Sequence, residues 1–169
     1  MIRDDQHLVL VGLMGSGKST VARLIGERLG RRVLDTDALV EEQTGRSVRD
    51  IFEHDGEDRF RDLESAVLAT ALAADVPAVI AGAGGIILRS ANRDLLRASD
   101  ARVVWLCADV ATLLERVRGG GHRPLLDADP EGTLQRMAET REPLYREVAD
   151  AIVLVDGRSL GDVVEAVLR

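Results

Sequence analysis

Residues 7–29 constrain the fold of this chain more than any other stretch. His7-Leu-Val-Leu-Val-Gly-Leu13 reads as a buried β-strand, and Ser19 to Leu29 carries helical periodicity that stops at Gly30. Between them lies Gly12-Leu-Met-Gly-Ser-Gly17-Lys18-Ser19-Thr20, a match to GxxxxGK[ST] in the strand–loop–helix setting that gives the pattern its meaning. Gly12, Gly15 and Gly17 can take conformations forbidden to side-chain-bearing residues. Amides from Gly15 through Ser16, Gly17, Lys18 and Ser19 to Thr20 would then converge on phosphate oxygens at a helix N-terminus. Lys18 is the only lysine in the chain; every other cationic side chain of the Lys/Arg type is arginine. A compact ammonium on a flexible stem can follow a phosphoryl group, which a planar guanidinium does less well. The pattern implies a nucleoside triphosphate site, with Lys18 on the β- and γ-phosphates and the Ser19 hydroxyl on Mg²⁺.

The rest of the chain alternates short β-like runs with helical ones, without repeat or linker. Strands are expected at His7–Leu13, Arg32–Leu34, Ala78–Ala81, Arg102–Leu106 and Ile152–Val155, giving a five-stranded parallel α/β sandwich. Ser47-Val-Arg-Asp50 has the form of a capping box for a helix to His54, and Glu57 to Ala74 forms a long helix. Asp109 and Ser159 are expected to cap the helix at Ala111–Arg118 and the last helix. With 169 residues, one domain spanning 1–169 is expected. Residues 119–130 have no periodicity, three consecutive glycines and two prolines, and carry Arg123 in their middle. That composition predicts a mobile lid closing over the phosphates.

Charge and composition exclude several functions. A net charge of −7 and a near absence of aromatics leave neither a basic face nor a stacking platform for nucleic acid. No apolar run reaches a membrane span, and the first residues lack a signal peptide's apolar stretch, so a cytoplasmic protein is expected. Cys107, the single cysteine, reads as a core residue. No apolar interface motif stands out, and a monomer is expected.

The acceptor side must define the chemistry. Asp35-Thr-Asp37 follows the second strand, at the carboxyl end of the sheet beside the phosphate loop. Two acids there can divide labour, one on the waters of Mg²⁺ and one on the proton of an acceptor hydroxyl, or one can simply cap the next helix. Arg61 can pair with Glu57 or Glu64 on an exposed face. Gly82-Ala-Gly-Gly85 is either a tight turn or a backbone surface for a ligand. Arg141 precedes Pro143, which is expected to break a helix.

Taken together, GLMGSGKST, LDTD (Leu34–Asp37), TGRSVRDIF (Thr44–Phe52) and FRDLE (Phe60–Glu64) make up the first half of a recognisable set. AGAGG (Ala81–Gly85), RPLL (Arg123–Leu126) and REPLYREVAD (Arg141–Asp150) complete it. The set resembles shikimate kinase, in the nucleoside monophosphate kinase-like P-loop superfamily, from about His7 to the C-terminus. The resemblance implies a three-layer P-loop kinase fold with a mobile lid, using ATP and Mg²⁺ to phosphorylate the 3-hydroxyl of shikimate. It implies Asp37 as base, Asp35 near Mg²⁺, and Arg61 and Arg141 as a clamp on the shikimate carboxylate. It places backbone around Gly84 and Gly85 in the substrate pocket, Arg123 on the transferring phosphoryl, and Arg116 and Arg158 beside adenine. Ala83 departs from the family's three glycines; if that position needs positive φ, the methyl disfavours it by roughly 1–2 kcal/mol. Two other readings share parts of the pattern: a kinase for another small polyol or sugar acid such as gluconate, and a non-catalytic ATP-binding regulator.

Overall fold

The computed structural model describes residues 2–119 and 128–169. Five parallel strands form one sheet: β1 (Leu8–Val11), β2 (Arg32–Asp35), β3 (Ala78–Ala81), β4 (Arg102–Cys107) and β5 (Ala151–Leu154), in the order β2-β3-β1-β4-β5. The central strand β1 pairs with both β3 and β4, setting Val9 beside Ile80 and Val103. Strands covered on both faces must be apolar throughout, which is why LVLV and AVIA are continuous hydrophobic runs. The edge strands are less protected; Val33 of β2 and Ile152 and Leu154 of β5 are exposed.

The described helices are α1 (Lys18–Leu29), α2 (Thr36–Thr44), α3 (Val48–Asp55), α4 (Glu57–Leu72), α5 (Ser90–Ala98), α6 (Val110–Arg118), α7 (Pro130–Val148) and α8 (Leu160–Leu168). Helices cover both sides of the sheet, with α1 against α8, and α7 against β4, α5 and α6. A smaller apolar cluster of Val40, Ile51, Phe60, Leu63 and Val67 joins α2, α3 and α4 beyond the main core. The chain runs from β1 to the β2–β3 side and then crosses back to β4. The crevice at β1 is therefore a topological switch point, where α/β sheets place their ligands.

The expected strands are all present, with boundaries shifted by up to two residues. Several local expectations are corrected. Pro143 does not end a helix: α7 runs through it. Its ring is exposed, and the carbonyl it leaves without a donor belongs to exposed Glu139, where water can satisfy it. Asp109 stands at the N-cap of α6 without a side-chain capping bond, and its own N–H is instead held by Asp156 at 3.1 Å. The capping box at Ser47 forms its forward bond to the Asp50 N–H, while the Asp50 carboxylate turns to Arg46. Cys107 is half-buried at the end of β4, not in the core, and burial pushes its thiol up. The lid expected at 119–130 falls mostly outside the described residues, and Arg123 with it. Pro130 already opens α7, behind an Asp129 N-cap.

Candidate active site

The phosphate loop leaves β1 at Gly12 (φ 146°), turns through Gly15 (φ 83°) and Gly17 (φ 93°), and enters α1 at Lys18. Gly12 is required twice over: a Cβ there would stand 2.5 Å from the Leu106 carbonyl oxygen. The loop encloses Lys18, whose Nζ donates to the Gly12 and Leu13 carbonyls at 2.7 and 2.9 Å. Ser16 is buried, with its hydroxyl 3.5 Å from the same ammonium. Arg116, in the last turn of α6, donates to the Gly15 carbonyl at 3.1 Å and so lies against the loop. Arg158 is exposed in the turn after β5, and no hydrogen bond joins it to the loop among the described residues.

At the end of β2 the two acids separate their tasks. Asp35 Oδ1 accepts the N–H groups of Asp37 and Ala38, capping α2, while Oδ2 accepts from the Ser19 hydroxyl at 3.0 Å. Capping and cation binding were alternatives in the sequence; one carboxylate has an oxygen for each. No group of three His, Cys, Asp or Glu among the described residues could hold a metal by itself. Ser19 Oγ and Asp35 Oδ2 supply two hard oxygens, a set that suits Mg²⁺ when phosphate oxygens and water complete its shell.

Asp37 has no such partner. Its Oδ1 is buried without a hydrogen bond. Burial first, and the adjacent Asp35 carboxylate second, push Asp37 up to about 6, against the pull of Lys18 and Arg61. A carboxylate poised near neutral pH and lacking a donor is suited to accept a proton. Lys18, Ser19, Thr20, Asp35 and Asp37 line one cleft of about 340 Å³ with the Gly82–Gly84 turn on its far wall.

That turn follows β3 and has no positive φ at any of its four residues, so Ala83 is accommodated without strain. Its N–H donates at 2.9 Å to the hydroxyl of buried Thr36, the first residue of α2. A Cβ on Gly85 would stand 2.3 Å from Arg61 Nη1, so a side chain there would push the Arg61 guanidinium from its place. Arg61 pairs with both Glu57 and Glu64, as its spacing allows, but on a buried face: Arg61 is 9% exposed and Glu64 1%. Its guanidinium also lies 5.2 Å from the Phe60 ring centre. Burial raises the Glu64 carboxyl and Arg61 opposes that rise. Arg141 Nη1 comes within 3.5 Å of the position a Gly84 Cβ would occupy, so both guanidinium groups meet at the Gly84–Gly85 turn.

The structure thus brings Lys18, Ser19, Asp35, Asp37, Arg61, Gly84, Gly85 and Arg141 to one end of the sheet. Sequence reasoning assigned no part to Thr36 or Tyr145, and gave Glu64 only as a pairing partner of Arg61. Tyr145 shares a face of α7 with Arg141, four residues earlier, but the expected break at Pro143 hid that offset; the part of Thr36 and the burial of Glu64 come only from the packing of α2 and α4.

A family model described as shikimate kinase matches residues 14–169. A shikimate kinase of Symbiobacterium thermophilum is 49% identical, over 96% of this chain and 94% of its own. The structure of a shikimate kinase from Acinetobacter baumannii in complex with shikimate superposes with a TM-score of 0.90 at 37% identity, covering 96% of this chain and 90% of that one. A gluconokinase from Sinorhizobium meliloti is less similar, with a TM-score of 0.68 and 26% identity over 99% of this chain and 91% of that one. The agreement extends from the phosphate loop through the acceptor side to the last helix, and on it this chain belongs to the shikimate kinase family, ATP-dependent phosphotransferases with an alcohol acceptor.

Proposed function

We propose that this protein transfers the γ-phosphoryl group of ATP to the 3-hydroxyl of shikimate, giving shikimate 3-phosphate and ADP. The observation that carries this reading is the placement of Asp37 Oδ1, unpartnered, in the cleft that Lys18 and the Ser19–Asp35 pair also line. In the transfer, a bond forms between the acceptor oxygen and the γ-phosphorus while the bond to the β-phosphate bridging oxygen breaks. The hydroxyl proton passes to Asp37. Lys18 follows the phosphoryl group, and the loop amides from Gly15 to Thr20 hold the phosphates. Ser19 and Asp35 would hold Mg²⁺, which supplies neutralising charge on the phosphates when bound. Arg61 and Arg141 clamp the carboxylate through paired hydrogen bonds beside Gly84 and Gly85. Arg116 and Arg158 flank the adenine, and Arg123, in a lid at 119–130, meets the transferring phosphoryl. We further read the chain as one domain that works as a cytoplasmic monomer, without nucleic-acid or membrane partners; its net charge of −7 supports this.

The test is ADP release with Mg-ATP and shikimate, gluconate, quinate or no acceptor. Turnover with shikimate alone is expected, and Lys18→Ala should abolish it while the protein stays folded. Preference for gluconate would overturn the acceptor; ATP binding without turnover on any acceptor would overturn the enzyme assignment.

A further inference from the structure

Tyr145 lies one turn beyond Arg141 on α7, so the two side chains share a helix face. Its ring is 0% exposed and stacks on Trp105 of β4, with ring centres 5.7 Å apart. A phenol at that depth needs partners for its hydroxyl. The Tyr145 hydroxyl donates to the Gly84 carbonyl oxygen, and Arg141 Nη1 stands 3.5 Å from the position a Gly84 Cβ would occupy. Its one hydrogen is thereby committed to Gly84, the glycine that Arg141 also approaches.

The Gly84 carbonyl and the Gly85 N–H belong to one trans peptide and point in opposite directions. Holding the carbonyl on Tyr145 therefore turns the Gly85 N–H away from α7. No backbone acceptor takes that N–H among the described residues. The following residues are anchored from α5: Asn92 donates to the Ile86 carbonyl and Arg93 to that of Ile87, each at 2.9 Å. The segment from Gly84 to Ile87 is thus held from two helices, its Gly84–Gly85 peptide by α7 and the residues after it by α5, beside the Arg61 and Arg141 guanidinium groups.

We propose that Tyr145 is a positioning residue for the acceptor's carboxylate, its hydroxyl fixing the Gly84–Gly85 peptide beside Arg141 as one preorganised anion site. The inference rests on the shikimate reading above. It assigns Tyr145 no contact with the reacting atoms. Preorganisation of this kind acts on binding, because the groups need not be ordered when the anion arrives.

Tyr145→Phe keeps the ring on Trp105 and removes only the hydroxyl. The KM for shikimate should rise roughly tenfold, the scale of one buried hydrogen bond, while the KM for ATP and kcat stay within about twofold. The penalty should collapse when shikimate is replaced by its neutral methyl ester, which a general loss of packing would not allow. An unchanged KM for shikimate, or an equal penalty on acid and ester, overturns the inference. Tyr145 is the only tyrosine, so 3-fluorotyrosine labels it alone in the otherwise native protein. Its fluorine resonance should move on adding shikimate and less on adding the ester; a resonance unmoved by shikimate overturns the inference even if the Phe variant does not fold. Absence of shikimate turnover in the unmodified protein would sink the functional reading and this inference with it. Normal turnover with an unaffected Tyr145→Phe variant would sink only the inference.

Discussion

The Ser19 hydroxyl donates to Asp35 Oδ2 at 3.0 Å, joining the first turn of α1 to the end of β2. The pair links two segments that the sequence separates by a whole helix. Both oxygens face the cleft that Lys18 and Asp37 also line. The other carboxylate oxygen of Asp35, Oδ1, is committed to capping α2.

This division separates metal binding from stability. Asn is as good an N-cap as Asp, so Asp35→Asn should leave Tm nearly unchanged. The same variant, and Ser19→Ala, should raise the Mg²⁺ concentration for half-maximal activity by roughly tenfold or more. Titration of activity with Mg²⁺ decides it; unchanged curves for both variants would remove the pair from the metal site.

Asp37 links activity and stability with opposite signs. Its carboxyl is pushed up to about 6, above the unfolded value, so the folded state favours the protonated form. Stability from this group is present at pH below about 4 and lost as pH rises through about 6, while the base is active only above it. The kcat/KM profile should therefore fall on the acid side with an apparent pKa near 6. Asp37→Asn should cut turnover by roughly 10² or more and stabilise the fold at pH 8 by on the order of 2 kcal/mol. An Asn variant that is less stable at pH 8 would contradict this reading.

Arg61→Ala should do more than weaken acceptor binding. It leaves Glu64, 1% exposed, without Arg61 Nη1, which donates to both of its oxygens at 3.0 Å. Breaking a buried pair from one side costs about 3 kcal/mol or more. The KM for shikimate should rise far more than that for ATP. Burial already raises the Glu64 carboxyl, and loss of Arg61 raises it further, so the variant should regain stability as pH falls and Glu64 takes up a proton. Denaturation midpoints at pH 8 and pH 5.5 test this; a deficit that does not shrink at the lower pH would show that Glu64 is not its source.

Ala83→Gly should leave the KM for shikimate within about twofold, because no residue of the 82–85 turn adopts positive φ. The glycine should instead lower stability by about 0.4–1 kcal/mol through the freer unfolded chain. Steady-state kinetics and thermal melts on the same preparation check both halves. A large gain in affinity would mean the methyl obstructs the site.

Much of this was legible in the sequence. The loop was readable from its local pattern, since Gly12, Gly15 and Gly17 all take positive φ, whereas the approach of Gly12 to the Leu106 carbonyl of β4 belongs to the tertiary fold. The apolar runs of β1, β3 and β4 marked strands buried on both faces. Pro143 misled because helix breaking depends on whether the orphaned carbonyl can reach water, and here it can. For Arg61, spacing reveals the possible partners Glu57 and Glu64 but not that Arg61 and Glu64 are buried while Glu57 stays exposed.

By itself, then, the sequence determined the elements and the loop, through periodicities and backbone preferences that act within a few residues. Only the tertiary structure decided which carboxylate goes unpartnered, which ion pair is buried and which hydroxyl holds the glycine turn. Asp37, Glu64 and Tyr145 acquire those properties from neighbours on other elements, through desolvation and hydrogen bonds that exist only once α2, α4 and α7 have packed around the end of the sheet.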